Sequence, residues 1–271
     1  MMSVIDAIVY GVIQGISEFL PVSSSGHLAL LPHVMKINDP GVVFDLMMHF
    51  GTALAVIIYF RHDLLRYIKT LRPALFDFSY KQADFNFSRN FIISTISSVI
   101  LILILIPVSK LARDPWIIII NLSVFGIVLW ISDLYNKKNQ KIDAPMESGV
   151  NLKFAIIIGL AQALAIFPGV SRSGITLTAA LFLGMRRKEA GAYSFLLSLP
   201  IILAGILKEL PHLMHSEDSQ SFIVLGTGVI SSFLVGWLTI HFFMKLIGKV
   251  ELKYFAIYRI AIAALIVWTL A

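Results

Sequence analysis

Six stretches of this chain are apolar over enough residues to cross a bilayer, and they dominate what it can fold into: 42–60, 91–108, 116–131, 193–210, 222–243 and 255–270. A spanning helix needs about 20 mostly apolar residues. The third stretch is short and the fourth carries Pro200, which neighbouring helices can accommodate. The chain is 58% hydrophobic and 14% charged, with a mean hydropathy of +0.84. An average soluble domain is about 25% charged, so too little charge is present to coat a soluble surface. Disorder is excluded on the same grounds. With no Cys, a disulfide scaffold, thiolate metal sites and Cys nucleophiles are excluded as well. The fold class is an all-α polytopic membrane protein.

The net charge of +6 reads as an excess of Lys and Arg in cytoplasmic loops, and no nucleic-acid partner is expected. Arg61, Arg66, Lys69, Arg72, Lys81 and Arg89 follow the first span, and Lys137, Lys138 and Lys141 follow the third. Arg186, Arg187 and Lys188 precede the fourth, and Lys245, Lys249 and Lys253 follow the fifth. The connection after the fourth span holds Glu217 and Asp218, and the one after the second covers only 109–115. Basic loops inside orient all six spans without conflict and put both termini outside. Met1 to Tyr10 has no basic n-region or small-residue cleavage site, so no cleaved signal peptide is expected.

Two apolar segments resist assignment as spans. Residues 5–20 contain Gln14 and Glu18 and end in Pro21-Val22-Ser23-Ser24-Ser25-Gly26-His27; residues 152–167 end in Pro168-Gly169-Val170-Ser171-Arg172-Ser173-Gly174. If the second crossed, the chain would have to return before Arg186, and 175–184 is about half the length required. Each is therefore expected to be a re-entrant hairpin, two half-helices around a polar break buried in protein or lining a wet cavity. The first enters from outside, the second from the cytoplasm.

An offset of 148 superimposes the two hairpins: Gly11 on Gly159, Gln14 on Gln162, Phe19 on Phe167, Val22 on Val170, Ser23 on Ser171, Ser25 on Ser173 and Gly26 on Gly174. Unrelated windows of that length give roughly one or two identities, so a repeat is expected. Each hairpin precedes three spans, an odd number, so the halves insert with opposite topology. The expected organisation is one membrane domain, 1–271. Its first repeat is about 1–135 (hairpin 5–34 plus three spans) and its second about 150–271 (hairpin 152–184 plus three spans). In such inverted repeats, a polar site lies near the midplane where broken helices meet.

The tips bring unusual chemistry to that depth: Glu18, Ser23, Ser24, Ser25 and His27 from the first, and Ser171, Arg172, Ser173, Thr176 and Thr178 from the second. An unpaired charge there costs about 2.5–3.5 kcal/mol on insertion scales, so Glu18 and Arg172 need a partner or a ligand. One reading is a structural clamp between the two. The other is an anion site, since guanidinium offers a planar fork for phosphate and helix N-termini offer free N–H groups. Gly26 and Gly174 permit close backbone approach. Phosphate is the leading ligand and carboxylate the second. Imidazole can act as nucleophile or proton shuttle, and a carboxylate as general base or ligand to a hard divalent cation. Phosphoryl transfer or hydrolysis is therefore expected, with Arg172 stabilising charge.

Other polar residues carry less. His49 and Asp45, at the start of a span, could face the site or be solvated there. His33, His62, His212 and His215 read as solvated, and Arg259 as snorkelling to the interface. Leu225-Gly226-Thr227-Gly228 lies in a span with no preceding strand, so it reads as close helix packing rather than a nucleotide loop.

Gln14-Gly15-Ile16-Ser17-Glu18-Phe19-Leu20-Pro21-Val22-Ser23-Ser24-Ser25-Gly26-His27 and Pro168-Gly169-Val170-Ser171-Arg172-Ser173-Gly174-Ile175-Thr176 resemble the two signature motifs of the bacterial undecaprenyl-diphosphate phosphatase family, also called bacitracin-resistance proteins. Phe255-Ala256-Ile257-Tyr258-Arg259 resembles a recurrent stretch near that family's C-terminus. The likeness covers the whole chain. It implies a multi-pass enzyme of the bacterial plasma (inner) membrane, with its active site toward the extracytoplasmic side. Such an enzyme hydrolyses undecaprenyl diphosphate to undecaprenyl phosphate and inorganic phosphate, recycling the lipid carrier for peptidoglycan synthesis and conferring bacitracin resistance. The resemblance implies a divalent cation, Mg2+ or Ca2+, with Glu18 as its ligand. It makes Glu18, Ser24, His27 and Arg172 catalytic. Ser23, Ser25, Gly26, Ser171, Ser173, Gly174, Thr176 and Gln14 become substrate-binding positions. Many members carry Glu where this chain has Gln14, which counts against two glutamates holding the metal here. Ser24, His27 and water all stand as candidate nucleophiles. The partners are an isoprenoid diphosphate lipid, the bilayer and, in one assembly considered, a second copy as a homodimer. The rival class is a secondary transporter or lipid flippase of the same architecture.

Overall fold

The computed structural model describes residues 2–35, 40–76, 83–109, 112, 114–139, 146–215 and 222–270. Among them the chain is helical throughout, and five helices are long and apolar enough to cross a membrane. These are α3 (Val42–Tyr59), α5 (Ala83–Ser109), α6 (Pro115–Asn139), α10 (Arg187–His215) and α11 (Phe222–Leu246). They cover the first five predicted spans, except that α3 stops one residue short, at Tyr59. The sixth, 255–270, falls in α12 (Lys253–Leu270). Lys81, Lys141, Glu217 and Asp218, and the side chains of His33, Arg72, His212 and His215, lie outside the described residues. The basic stretch after the first span is a helix, α4 (Arg61–Phe76), rather than the expected loop. Its apolar side packs on α5, with the Tyr67 and Phe87 rings 4.2 Å apart.

The two predicted hairpins are pairs of short helices. The first is α1 (Val4–Ser17) and α2 (Ser24–Met35); the second is α8 (Leu152–Ala163), extended by a 3-10 turn Leu164–Ile166, and α9 (Arg172–Phe182). A four-residue helix, α7 (Met146–Gly149), precedes the second. The first helix of each pair starts on a polar cap. Ser3 accepts from the Asp6 N–H while Asp6 accepts from the Ser3 N–H, and Asn151 accepts from the Phe154 N–H at 3.1 Å. Ser3 and Asn151 are 148 positions apart.

The first helix of each pair packs on a long helix in a matching way. α1 packs on α11 and α8 on α5. A Cβ added at Gly11 would lie 2.6 Å from the Gly228 oxygen, and one at Gly159 would lie 2.9 Å from Ser94 Cα, so both helices approach through glycine. A Cβ on Gly228 would strike the Met48 thioether, as expected of close helix packing. The main apolar core joins both halves, with Phe19 edge-on to Phe195 at 5.1 Å. Buried Asp133 accepts from Arg187 Nε at 2.7 Å and the Leu252 N–H at 3.2 Å, tying α6 to α10 and to the turn before α12. In that turn Glu251 is held by Lys137 and Lys253, which draw its carboxyl down to about 2.

Candidate active site

Both hairpin breaks turn on a serine. Ser23 and Ser171 are the two non-glycine residues with positive φ among the described residues, at 75° and 72°. That conformation is uncommon outside glycine and marks an over-determined turn. Each serine sits immediately before a half-helix, and its hydroxyl lies within reach of the serine two places on: Ser23 to Ser25 at 3.2 Å, Ser171 to Ser173 at 3.4 Å. Ser171 Oγ also caps α9 by accepting from the Gly174 N–H at 3.2 Å.

These turns touch each other. Ser173 Oγ donates to the Leu20 carbonyl at 3.1 Å, and Arg172 forms an ion pair with Glu18, crossing from the second break to the first. Glu18 Oε2 further accepts from Ser24 Oγ at 2.9 Å and Gln14 Nε2 at 2.9 Å, and lies 3.2 Å from His49 Nδ1. Gln14 Nε2 is also 2.8 Å from His49 Nδ1. Glu18, Ser24, Ser25, Ser171, Arg172 and Ser173 line one cavity of about 310 Å³, with Ser17, His49 and Gln162 among the other walls. The clamp between Glu18 and Arg172 exists, and it opens onto a polar space.

Not every predicted residue reaches that space. His27 turns the other way: Nδ1 lies 2.8 Å from the Ser23 carbonyl and Nε2 2.7 Å from the Tyr258 hydroxyl. A carbonyl only accepts, so Nδ1 carries the proton, and in the neutral ring Nε2 accepts from Tyr258. Thr176 is buried in the α9–α10 contact, 2.6 Å from Ser194 Oγ. Gly174 is crowded, an added Cβ there falling 3.1 Å from Ser171 Oγ and 3.2 Å from an Arg259 nitrogen, whereas Gly26 has room for one.

Two residues matter more than the sequence suggested. His49 stands in the cavity wall on Glu18 instead of being solvated. Arg259 does not snorkel: it is 0% exposed and donates to the carbonyls of Gly169 at 2.8 Å, Val170 at 3.1 Å and, more weakly, Pro21 at 3.5 Å. It also reaches the Asn121 and Leu122 carbonyls of α6. One guanidinium thus holds both breaks against α6, a task that suits its five fixed donors.

The donor set can be tested against a cation. Among the described residues no three His, Asp or Glu side chains gather into a metal cluster. The cavity offers one carboxylate, Glu18, serine hydroxyls and Gln162, whose buried amide oxygen has no hydrogen-bond partner. Calcium takes about six to eight oxygens, whereas magnesium binds through one or two carboxylates plus substrate phosphates and water. One carboxylate is too few for a protein-built calcium cage but would suit a magnesium ion that keeps most of its other oxygens from outside the protein.

The family model described as "Bacitracin resistance protein BacA" matches residues 7–265. The chain belongs to the BacA family. The "Undecaprenyl-diphosphatase" of Moorella thermoacetica is 39% identical over 269 residues, covering 98% of this chain and 97% of that one. A protein of the same name from Alteromonas mediterranea is 38% identical, with 98% of each chain covered. "Undecaprenyl-diphosphatase 1" of Pseudoalteromonas translucida is 39% identical over 96% of each.

Proposed function

We propose that this BacA-family chain hydrolyses undecaprenyl diphosphate to undecaprenyl phosphate and inorganic phosphate in the bacterial inner membrane, recycling the carrier lipid and conferring bacitracin resistance. The observation that carries the reading is the shared cavity in which Arg172 of one break meets Glu18 and Ser24 of the other. The architecture that goes with it is six spans and two re-entrant hairpins in an inverted repeat. The matched caps, glycine contacts and strained serines 148 positions apart support that arrangement. The site faces the extracytoplasmic side.

The terminal phosphate enters against Arg172, whose fork exchanges Glu18 for phosphate oxygens. Glu18, released from the guanidinium, takes the proton of Ser24 Oγ, already 2.9 Å away. Ser24 Oγ attacks the terminal phosphorus and the bond to the bridging oxygen breaks, so undecaprenyl phosphate leaves. Water then releases inorganic phosphate from the serine, with Glu18 returning its proton to Ser24. Ser25, Ser171 and Ser173 hold phosphate oxygens, and His27 serves the lipid-phosphate side. A magnesium ion, when bound, would be held by Glu18 before that proton transfer and would supply charge neutralisation for the diphosphate.

Purified protein in detergent with Mg2+ and undecaprenyl or farnesyl diphosphate tests this. Release of inorganic phosphate is expected. Lipid translocation in vesicles with no phosphate release would place the chain with flippases instead.

A further inference from the structure

α1 lies hard against α11: a Cβ on Gly15 would come within 2.7 Å of the Gly236 nitrogen. α12 instead packs on α6. The gap left between α1, α11 and α12 holds two adjoining cavities of about 390 and 280 Å³, both walled by Ile16, Leu20 and Phe255. The first ends at Ser17, His27 and Tyr258; the second runs on past Val235, Leu238 and Phe242. Ser17 also lines the polar cavity of Glu18 and Arg172, so the apolar gap and the phosphate space share a wall. Another apolar cavity, of about 290 Å³ between α4, α5 and α10, shares no lining residue with the polar one.

We propose that the gap between α1, α11 and α12 is the binding groove for the isoprenoid chain of the substrate. The first units pass between Ser17 and the His27–Tyr258 pair, and later ones lie along Leu238 and Phe242. This rests on the phosphatase reading, because that reading puts a long apolar chain on the phosphate. It also gives His27 a place: the imidazole faces the seam where headgroup becomes tail, away from the Glu18 cluster. The shared Ser17 wall sets this groove, and not the cavity beside α4, next to the phosphate space.

Two measurements test it. Leu238→Trp fills the far part of the groove, which a long chain reaches and a three-unit chain does not. It is expected to lower kcat/KM for undecaprenyl diphosphate at least about tenfold more than for farnesyl diphosphate. Equal effects on the two substrates, or none, would overturn the groove. Separately, a polyprenyl monophosphate with a diazirine at its far end is expected to crosslink the unmodified protein within residues 235–255. Labelling within residues 64–96 would overturn the proposal. The crosslink needs no turnover, so wild-type protein that releases no phosphate would refute the reaction while the labelled positions still decide the groove.

Discussion

The carboxylate of Glu18 and the guanidinium of Arg172 pair across 154 positions of sequence, with the Glu18 side chain 2% exposed and that of Arg172 16% exposed. Removing one partner of such a buried pair strands the other. Glu18→Gln and Arg172→Met are each expected to destabilise the protein by about 3 kcal/mol. The double variant should lose less than the sum. Thermal unfolding in detergent across the double-mutant cycle checks this; strict additivity would mean that the pair is not formed in solution.

His49, rather than His27, stands beside Glu18. His49→Ala loosens both Glu18 and Gln14 and is expected to cut turnover about tenfold, with His49→Gln recovering part of it. His27→Ala should lower phosphate release at least about tenfold by loosening the lipid phosphate, and Tyr258→Phe should lower it less, because the hydroxyl only orients the ring. Near-normal rates in His27→Ala would remove that residue from the chemistry.

Arg259 satisfies five backbone carbonyls and has no carboxylate partner among the described residues. Each buried carbonyl left unpaired costs about 1–3 kcal/mol. Arg259→Ala should therefore lower the unfolding temperature and phosphate release together. Arg259→Lys should fail to restore either, since an ammonium cannot span carbonyls on three segments. Full rescue by Lys would reduce the residue to a buried charge.

Gly11 and Gly159 are predicted to reject a methyl group, for an added Cβ meets backbone at each. Gly11→Ala and Gly159→Ala should each cost about 1–3 kcal/mol by overpacking. Gly226→Ala, in the same α11 that receives Gly11 but with nothing within 4 Å, should be neutral or gain up to about 1 kcal/mol from helix propensity. Unfolding temperatures of the three variants separate close approach from simple helix preference.

Much of this was readable in the sequence. Hydropathy marks long spans because the bilayer demands an unbroken apolar run. Glu18 and Arg172 stood out because charge at that depth needs a reason. The 148-residue offset paired Ser23 with Ser171, and the structure adds that both carry positive φ. What the sequence hid is direction. Nothing in a span's composition says which face meets a cavity, so the sequence left His49 open between facing the site and solvation at the helix start. Arg259 looked like a snorkelling residue because its five acceptors are carbonyls, and backbone leaves no mark in the sequence. His27 sits in the right motif, yet its ring is turned by Tyr258, 231 positions away.

The role of Arg172 is read from the initial rate of inorganic phosphate release from undecaprenyl diphosphate by purified wild-type and Arg172→Ala protein with Mg2+. Arg172 as the phosphate-holding group requires steady release by the wild type and a rate at least about a hundredfold lower in the variant, which still inserts and folds. Equal rates in the two proteins would contradict it.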